Sequence, residues 1–196
     1  MNPTKELLEE IYSKHKKLLK NTNVVNRKCI IAFSAPIGAG KTTIARQLEE
    51  KFKAIRVNND DIRKIILTTT HIDKANLQST LIAYLKELFA KLSKDSNGTI
   101  IIDASLDRMY KELSQLATAY NFPLFIIRLE YSLETIKDRI RKRGLTVEDF
   151  LNKIDSIYGD FLKARENIPA QYIINETNCD DIQNLVDTIE RFKDEL

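Results

Sequence analysis

Residues 29 to 43 read Cys29-Ile30-Ile31-Ala32-Phe33-Ser34-Ala35-Pro36-Ile37-Gly38-Ala39-Gly40-Lys41-Thr42-Thr43, and this stretch decides the fold. It opens with a short unbroken apolar run, the kind that is buried on both faces of a parallel sheet. From Ala35 to Thr42 it matches GxxxxGK[ST] at every fixed position but the first, where Ala35 replaces glycine. Gly38 and Gly40 let the backbone turn so that successive N–H groups face inward, and a helix starting near Lys41 aims its positive end at the same point. An apolar strand, an anion cradle and a helix, in that order, predict an α/β unit. The Cβ of Ala35 would forbid a backbone angle there that glycine permits.

Working outward, apolar runs recur at 54–57, 99–102, 124–129 and 172–174, each separated from the last by helical periodicity. Such alternation needs right-handed crossover connections, which produce a parallel sheet with helices on both faces. The expectation is a five-stranded, three-layer α/β domain over 28–196. Ahead of it, residues 4 to 20 put Leu7, Leu8, Ile11, Tyr12, Leu18 and Leu19 on one helical face, an amphipathic N-terminal extension within 1–27.

The 196 residues are 43% hydrophobic, enough for one substantial core in one domain. A net charge of +3 gives no overall field for nucleic acid or an anionic membrane. Cys29 and Cys179 lie far apart with no Cys or His at metal-ligand spacing, which argues for reduced thiols in a cytoplasmic protein. No run approaches the roughly 20 apolar residues of a membrane span.

The cradle fits a triphosphate. Pro36, Ile37, Gly38, Ala39, Gly40, Lys41, Thr42 and Thr43 are the candidate nucleotide contacts. Lys41 would neutralise β- and γ-phosphate charge, the Thr42 hydroxyl would take a magnesium ion, and Thr43 would support the helix start. After the second strand, Asn58-Asn59-Asp60-Asp61-Ile62-Arg63 puts acids and an arginine at the sheet's carboxyl edge, where ligands bind in open parallel sheets. Asp60 could accept the proton of an attacking hydroxyl and Arg63 could hold the acceptor; the alternative is that Asp60 merely caps its helix. The third strand ends Ile100-Ile101-Ile102-Asp103, an acid placed to reach magnesium or its water shell, or else to cap the next helix as Ser105 and Asp107 could. Within 137–144, Arg139 and Arg143 share a helical face before Gly144 and could close over the phosphates as a lid. Lys137, Arg141 and Lys142 read as solvated charge. His15 and His71 carry no visible chemistry.

These motifs together resemble the P-loop kinase group that contains the 5′-hydroxyl polynucleotide kinases, the zeta-toxin-type kinases and related AAA_33-like predicted kinases. The resemblance runs from Cys29 to about Asn175 and implies a P-loop NTPase fold. It implies that Lys41 and Thr42 bind ATP and Mg²⁺, that Asp60 is the catalytic base, that Arg63 and Asp103 organise the acceptor, and that Arg143 touches the transferring phosphate with Arg139 as a second lid contact. It also implies that the segment Asn175 to Asn178 lies where such kinases hold adenine. The function expected is transfer of the γ-phosphoryl group of ATP to a hydroxyl of a small molecule, a nucleotide sugar or a nucleic-acid 5′ end, the modest charge favouring the small molecule. The alternative is a non-catalytic ATP-binding switch whose N-terminal helix recruits a partner. Acceptor-reading residues are expected within 67–92.

Overall fold

The computed structural model describes residues 3–21, 27–69, 74–95, 98–144, 148–179 and 181–195. Residues 22–26 of the N-terminal extension, and His71, lie outside these residues. In chain order the elements are α1 (Lys5–Lys16), β1 (Cys29–Ser34), α2 (Lys41–Phe52), β2 (Ile55–Asn58), α3 (Asn59–Thr69), α4 (Lys74–Asp95), β3 (Thr99–Ser105), α5 (Tyr110–Ala119), β4 (Leu124–Leu129), α6 (Leu133–Lys142), α7 (Glu148–Arg165), β5 (Tyr172–Ile174) and α8 (Ile182–Asp194). The five strands form one parallel sheet in the order β2-β3-β1-β4-β5. The fold is the α/β architecture that the alternation predicts.

Strand parity divides the core. Ile30 and Ala32 of β1, Ile55 and Val57 of β2, and Ile100 and Ile102 of β3 face α1, α3, α4 and α5. Cys29, Ile31, Phe33 and Ile101 face the other way, onto α2, α6 and α8. This parity also sends Arg56, Asn58 and Asp103 to the α2 side, because side chains alternate along a strand.

Two boundaries differ from expectation. The N-terminal helix stops at Lys16, not at residue 20. Leu18 and Leu19 turn back through N–H bonds to His15 and Lys16, which leaves Leu18 exposed while Leu19 still packs on the core. The helix is also no loose appendage: Ile11 is fully buried in the core, and the buried His15 ring bonds the Tyr84 hydroxyl at 2.8 Å. The third strand, in turn, runs on past Asp103 to Ser105. Ala32 pairs with Ile102 and Phe33 with Ser105, so Asp103 and Ala104 sit in a bulge with no partner on β1. Such an irregularity re-aims side chains, here at the carboxyl edge of the sheet.

Candidate active site

The loop between β1 and α2 is built as its glycines require. Gly38 and Gly40 have φ of +81° and +102°, angles that L side chains rarely adopt. Ala35 does not, since Asn21, Lys53 and Asn121 are the non-glycine residues with positive φ among those described. Its Cβ therefore costs nothing there, and its N–H bonds the Ser105 hydroxyl at 3.3 Å. Gly40 caps α2 without a side chain, which leaves the helix start open for an anion. Gly38 has a second reason that the motif does not reveal. A Cβ on it would come within 2.9 Å of Ile140 Cγ1, so its bareness lets α6 pack against the loop.

Lys41 lies across the loop, donating to the carbonyls of Pro36 at 2.9 Å and Ala35 at 3.4 Å. Burial pulls its ammonium below the ordinary lysine range, and the charges of Asp107, Asp103 and Asp60 oppose that pull. The Thr42 hydroxyl donates to Asp103 Oδ1 at 3.0 Å. The other Asp103 oxygen accepts from Arg56 Nη1 at 2.8 Å and Asn58 Nδ2 at 3.1 Å, and Arg56 continues to Glu49 at 2.9 Å. The Asp103 carboxylate is almost fully buried, a state that needs such a shell of donors. The adjacent hydroxyl and carboxylate are hard oxygen donors of the type magnesium takes. No cluster of three or more His, Cys, Asp or Glu side chains stands among the described residues, so a metal here would rely on phosphate oxygens as well.

Asp60 lies in the first turn of α3, yet it is not the cap. Asn58 Oδ1 accepts from the N–H groups of Asp60 at 2.8 Å and Asp61 at 3.4 Å, so the Asp60 carboxylate remains available. Its partner is Arg63, one turn on, at 2.9 Å. Lys41, Thr42, Asp60, Arg63 and Asp103 all border one cleft of about 520 Å³. Pro36 and Ile37 form its loop side, and Met109, Ile157 and Phe161 form an apolar wall. Gln78 of α4 also borders it, within the 67–92 stretch expected to hold acceptor contacts; residues 70–73 of that stretch lie outside those described.

Arg139 and Arg143 are not in that cleft. They line a second hollow of about 420 Å³ on the far side of the loop, with Ala39, Gly40, Thr43, Tyr131 and Cys179. The Arg139 guanidinium donates to the Ala39 carbonyl at 2.9 Å and lies 3.7 Å from the centre of the Tyr131 ring. Arg143 caps α6 and Gly144 stops it with φ +71°. Arg141, half exposed, pairs with Asp138 one turn away at 2.7 Å, whereas Lys137 is only 20% exposed and reaches across to Asp155 of α7 at 2.7 Å. The Asn175 to Asn178 segment folds on itself, with Asn178 accepting from the Asn175 N–H and Asn175 from the Thr177 N–H.

Sequence reading missed Arg56, Asn58 and Asp107. The first two carried a signal: polar residues two apart in a buried strand must point together, and Asn58 pairs in register with Asp103. Asp107 follows the bulge, accepts from the Ser34 hydroxyl at 3.2 Å and faces Lys41; burial pushes its carboxyl upward against those contacts.

Among solved structures the chain is similar to the PezAT toxin-antitoxin system of Streptococcus pneumoniae, with 17% identity and a TM-score of 0.61 over 83% of this chain and 72% of that one. The tunicamycin resistance protein of Deinococcus radiodurans aligns at 18% identity and a TM-score of 0.61, over 85% and 96%. A gluconokinase from Sinorhizobium meliloti aligns at 14% and 0.58, over 87% and 97%. At these identities the likeness is one of fold, the fold of P-loop kinases. No curated protein matches the chain. The AAA_33 family model, described as an AAA domain, matches residues 31–166, from the first strand to the end of α7, and the chain belongs to that family.

Proposed function

We propose that the chain is an ATP-dependent kinase that transfers the γ-phosphoryl group to a hydroxyl of a small molecule. The observation that carries this reading is that Asp60, freed from capping by Asn58, shares one cleft with Lys41 and Thr42. A phosphate-binding loop alone would serve a switch equally well; a loop facing an exposed carboxylate that does not cap its helix and is paired, among the described residues, only with Arg63 suits an acceptor hydroxyl. In this reading Lys41 leaves the loop carbonyls to neutralise phosphate charge, Asp60 accepts the hydroxyl proton, and Arg63 orients the acceptor. Thr42 and Asp103 would hold magnesium, which supplies charge neutralisation on the phosphates when bound. Arg139 and Arg143 close from the second hollow, where the nucleotide base would lie between Tyr131 and the loop ending at Cys179. Residues 28–196 form the kinase domain, with 1–27 as a helical extension packed on it, in a cytoplasmic protein with two free thiols.

A small acceptor suits the cleft better than nucleic acid. Its volume falls in the range of small-ligand sites. Arg63 and Arg108, on its acceptor half, each have a carboxylate within reach, Asp60 at 2.9 Å and Asp160 at 3.9 Å, so they form no basic track for a phosphate backbone. The test is transfer of labelled γ-phosphate to a panel of sugars, nucleosides, nucleotide sugars and a 5′-hydroxyl oligonucleotide, for wild type and Asp60→Asn. A labelled small acceptor, with transfer lowered about 10² to 10⁴-fold by the substitution and ATP affinity kept, is the expected result. Labelling of the oligonucleotide alone would overturn the acceptor class. ATP binding without transfer to any acceptor would leave the switch, although the apolar face of α1 is already buried in the core and is not open to a partner.

A further inference from the structure

We infer that Asn58 is a positioning residue that couples the nucleotide side of the cleft to the acceptor side; the inference rests on the kinase reading above. The side chain has two ends with two tasks. Its oxygen accepts from the Asp60 and Asp61 N–H groups at the start of α3, and its nitrogen donates to Asp103 Oδ2 at 3.1 Å. Asp103 in turn holds the Thr42 hydroxyl. A continuous run of hydrogen bonds thus leads from the first turn of α2, at the phosphate loop, through β3 and β2 to the first turn of α3, which carries Asp60. Pairing of Asn58 with Asp103 in the parallel register puts both side chains on one face and makes the link short.

Capping alone does not explain the asparagine. Aspartate and serine cap helices about as well. Aspartate has no donor for Asp103 and would set a second carboxylate against it. Serine has a hydroxyl one atom shorter, which cannot span both ends. Asparagine is the capping side chain that accepts at one end and donates at the other. When a nucleotide draws on the Thr42 hydroxyl, Asp103 rebalances its bonds and the change reaches the Asp60 backbone through Asn58. A misplacement of about 1 Å at such a base costs on the order of 10²-fold in rate, so the link matters to turnover.

The test compares full-length wild type, Asn58→Ser and Asn58→Asp, all of which keep a cap. The first measurement is hydrogen exchange of the Asp60 and Asp61 amides with and without a non-hydrolysable ATP analogue and magnesium, which requires no transfer. Wild type should show a nucleotide-dependent change there, and both variants should lose most of it, Asn58→Ser while melting within a few degrees of wild type. The second is steady-state kinetics: kcat falls about 10- to 100-fold with KM for ATP changed less than about threefold. Wild-type kcat and an undiminished exchange response in Asn58→Ser would overturn the coupling and leave Asn58 a cap. A kcat loss matched by equal losses in ATP affinity and melting temperature would overturn it as well, since damage to the fold explains that pattern. Failure of wild type to phosphorylate any acceptor would sink the kinase reading, while the exchange response would still decide the coupling.

Discussion

Gly38→Ala tests the packing of the phosphate loop against α6. Two costs add. The alanine must hold φ near +81°, which for an L residue costs about 1–2 kcal/mol. Its Cβ would stand 2.9 and 3.0 Å from Ile140 Cγ1 and Cδ1 and 3.5 Å from Ile136 Cγ2, a crowding worth about 1–3 kcal/mol in a packed core. The total of about 2–5 kcal/mol should lower the melting temperature of a chain this size by roughly 5 to 15 °C. The two parts separate in a double-mutant cycle with Ile140→Ala, which removes the crowded atoms. That substitution alone should destabilise by about 2–5 kcal/mol, but in the Gly38→Ala background by about 1–3 kcal/mol less, the strain at φ remaining. Equilibrium denaturation of the four proteins gives the cycle. Strict additivity would refute the claim that α6 sits on the glycine, and unchanged stability in Gly38→Ala would refute both parts.

Acid should loosen the α1 anchor. Burial lowers the His15 pKa from its ordinary 6.5 to about 4, with Asp61 opposing. Between these values the unfolded chain binds a proton that the folded chain refuses, so stability falls as pH drops from 6.5 to about 4, by about 3 kcal/mol from this residue, and is unaffected above that window. Denaturation midpoints of wild type and His15→Gln at pH 7, 5.5 and 4.5 should converge as pH falls; parallel curves would show that His15 is not the group. Burial also pushes the Cys29 thiol up to about 12 despite nearby Lys193, whereas Cys179 is exposed. A thiol reagent at pH 8 should therefore titrate one cysteine rapidly in the native protein and the second only in denaturant, and two fast equivalents would contradict the buried strand position. Arg56→Met should cost about 3–5 kcal/mol by leaving buried Asp103 and Glu49 without their guanidinium, and Asp103→Asn in the same chain should recover part of it. A loss under about 1 kcal/mol, measured by denaturant unfolding, would mean that the pair is solvent-compensated.

What the sequence settled by itself is what neighbours along the chain decide. Strand, loop and helix from Cys29 to Phe52 follow from an apolar run, two glycines and a lysine-threonine pair, all within reach of one another along the backbone. The alternation of apolar runs with helical periods was likewise enough for a parallel sheet, since no other connection joins such strands. Periodicity overran its limit at Leu18, where the apolar spacing continues but the helical hydrogen bonds do not. The tertiary structure alone decided who holds Asp103. Thr42, Arg56 and Asn58 come to it across 61, 47 and 45 residues of chain, through a strand order that sets β3 between β2 and β1 and a register that aligns Asn58 with Asp103. It also decided that Asn58, and not Asp60, caps α3, and that Gly38 must be bare for the sake of Ile140. Each of these depends on the approach of elements distant in sequence, and such distances are set by the packing of the whole core against the sheet, which no local pattern encodes.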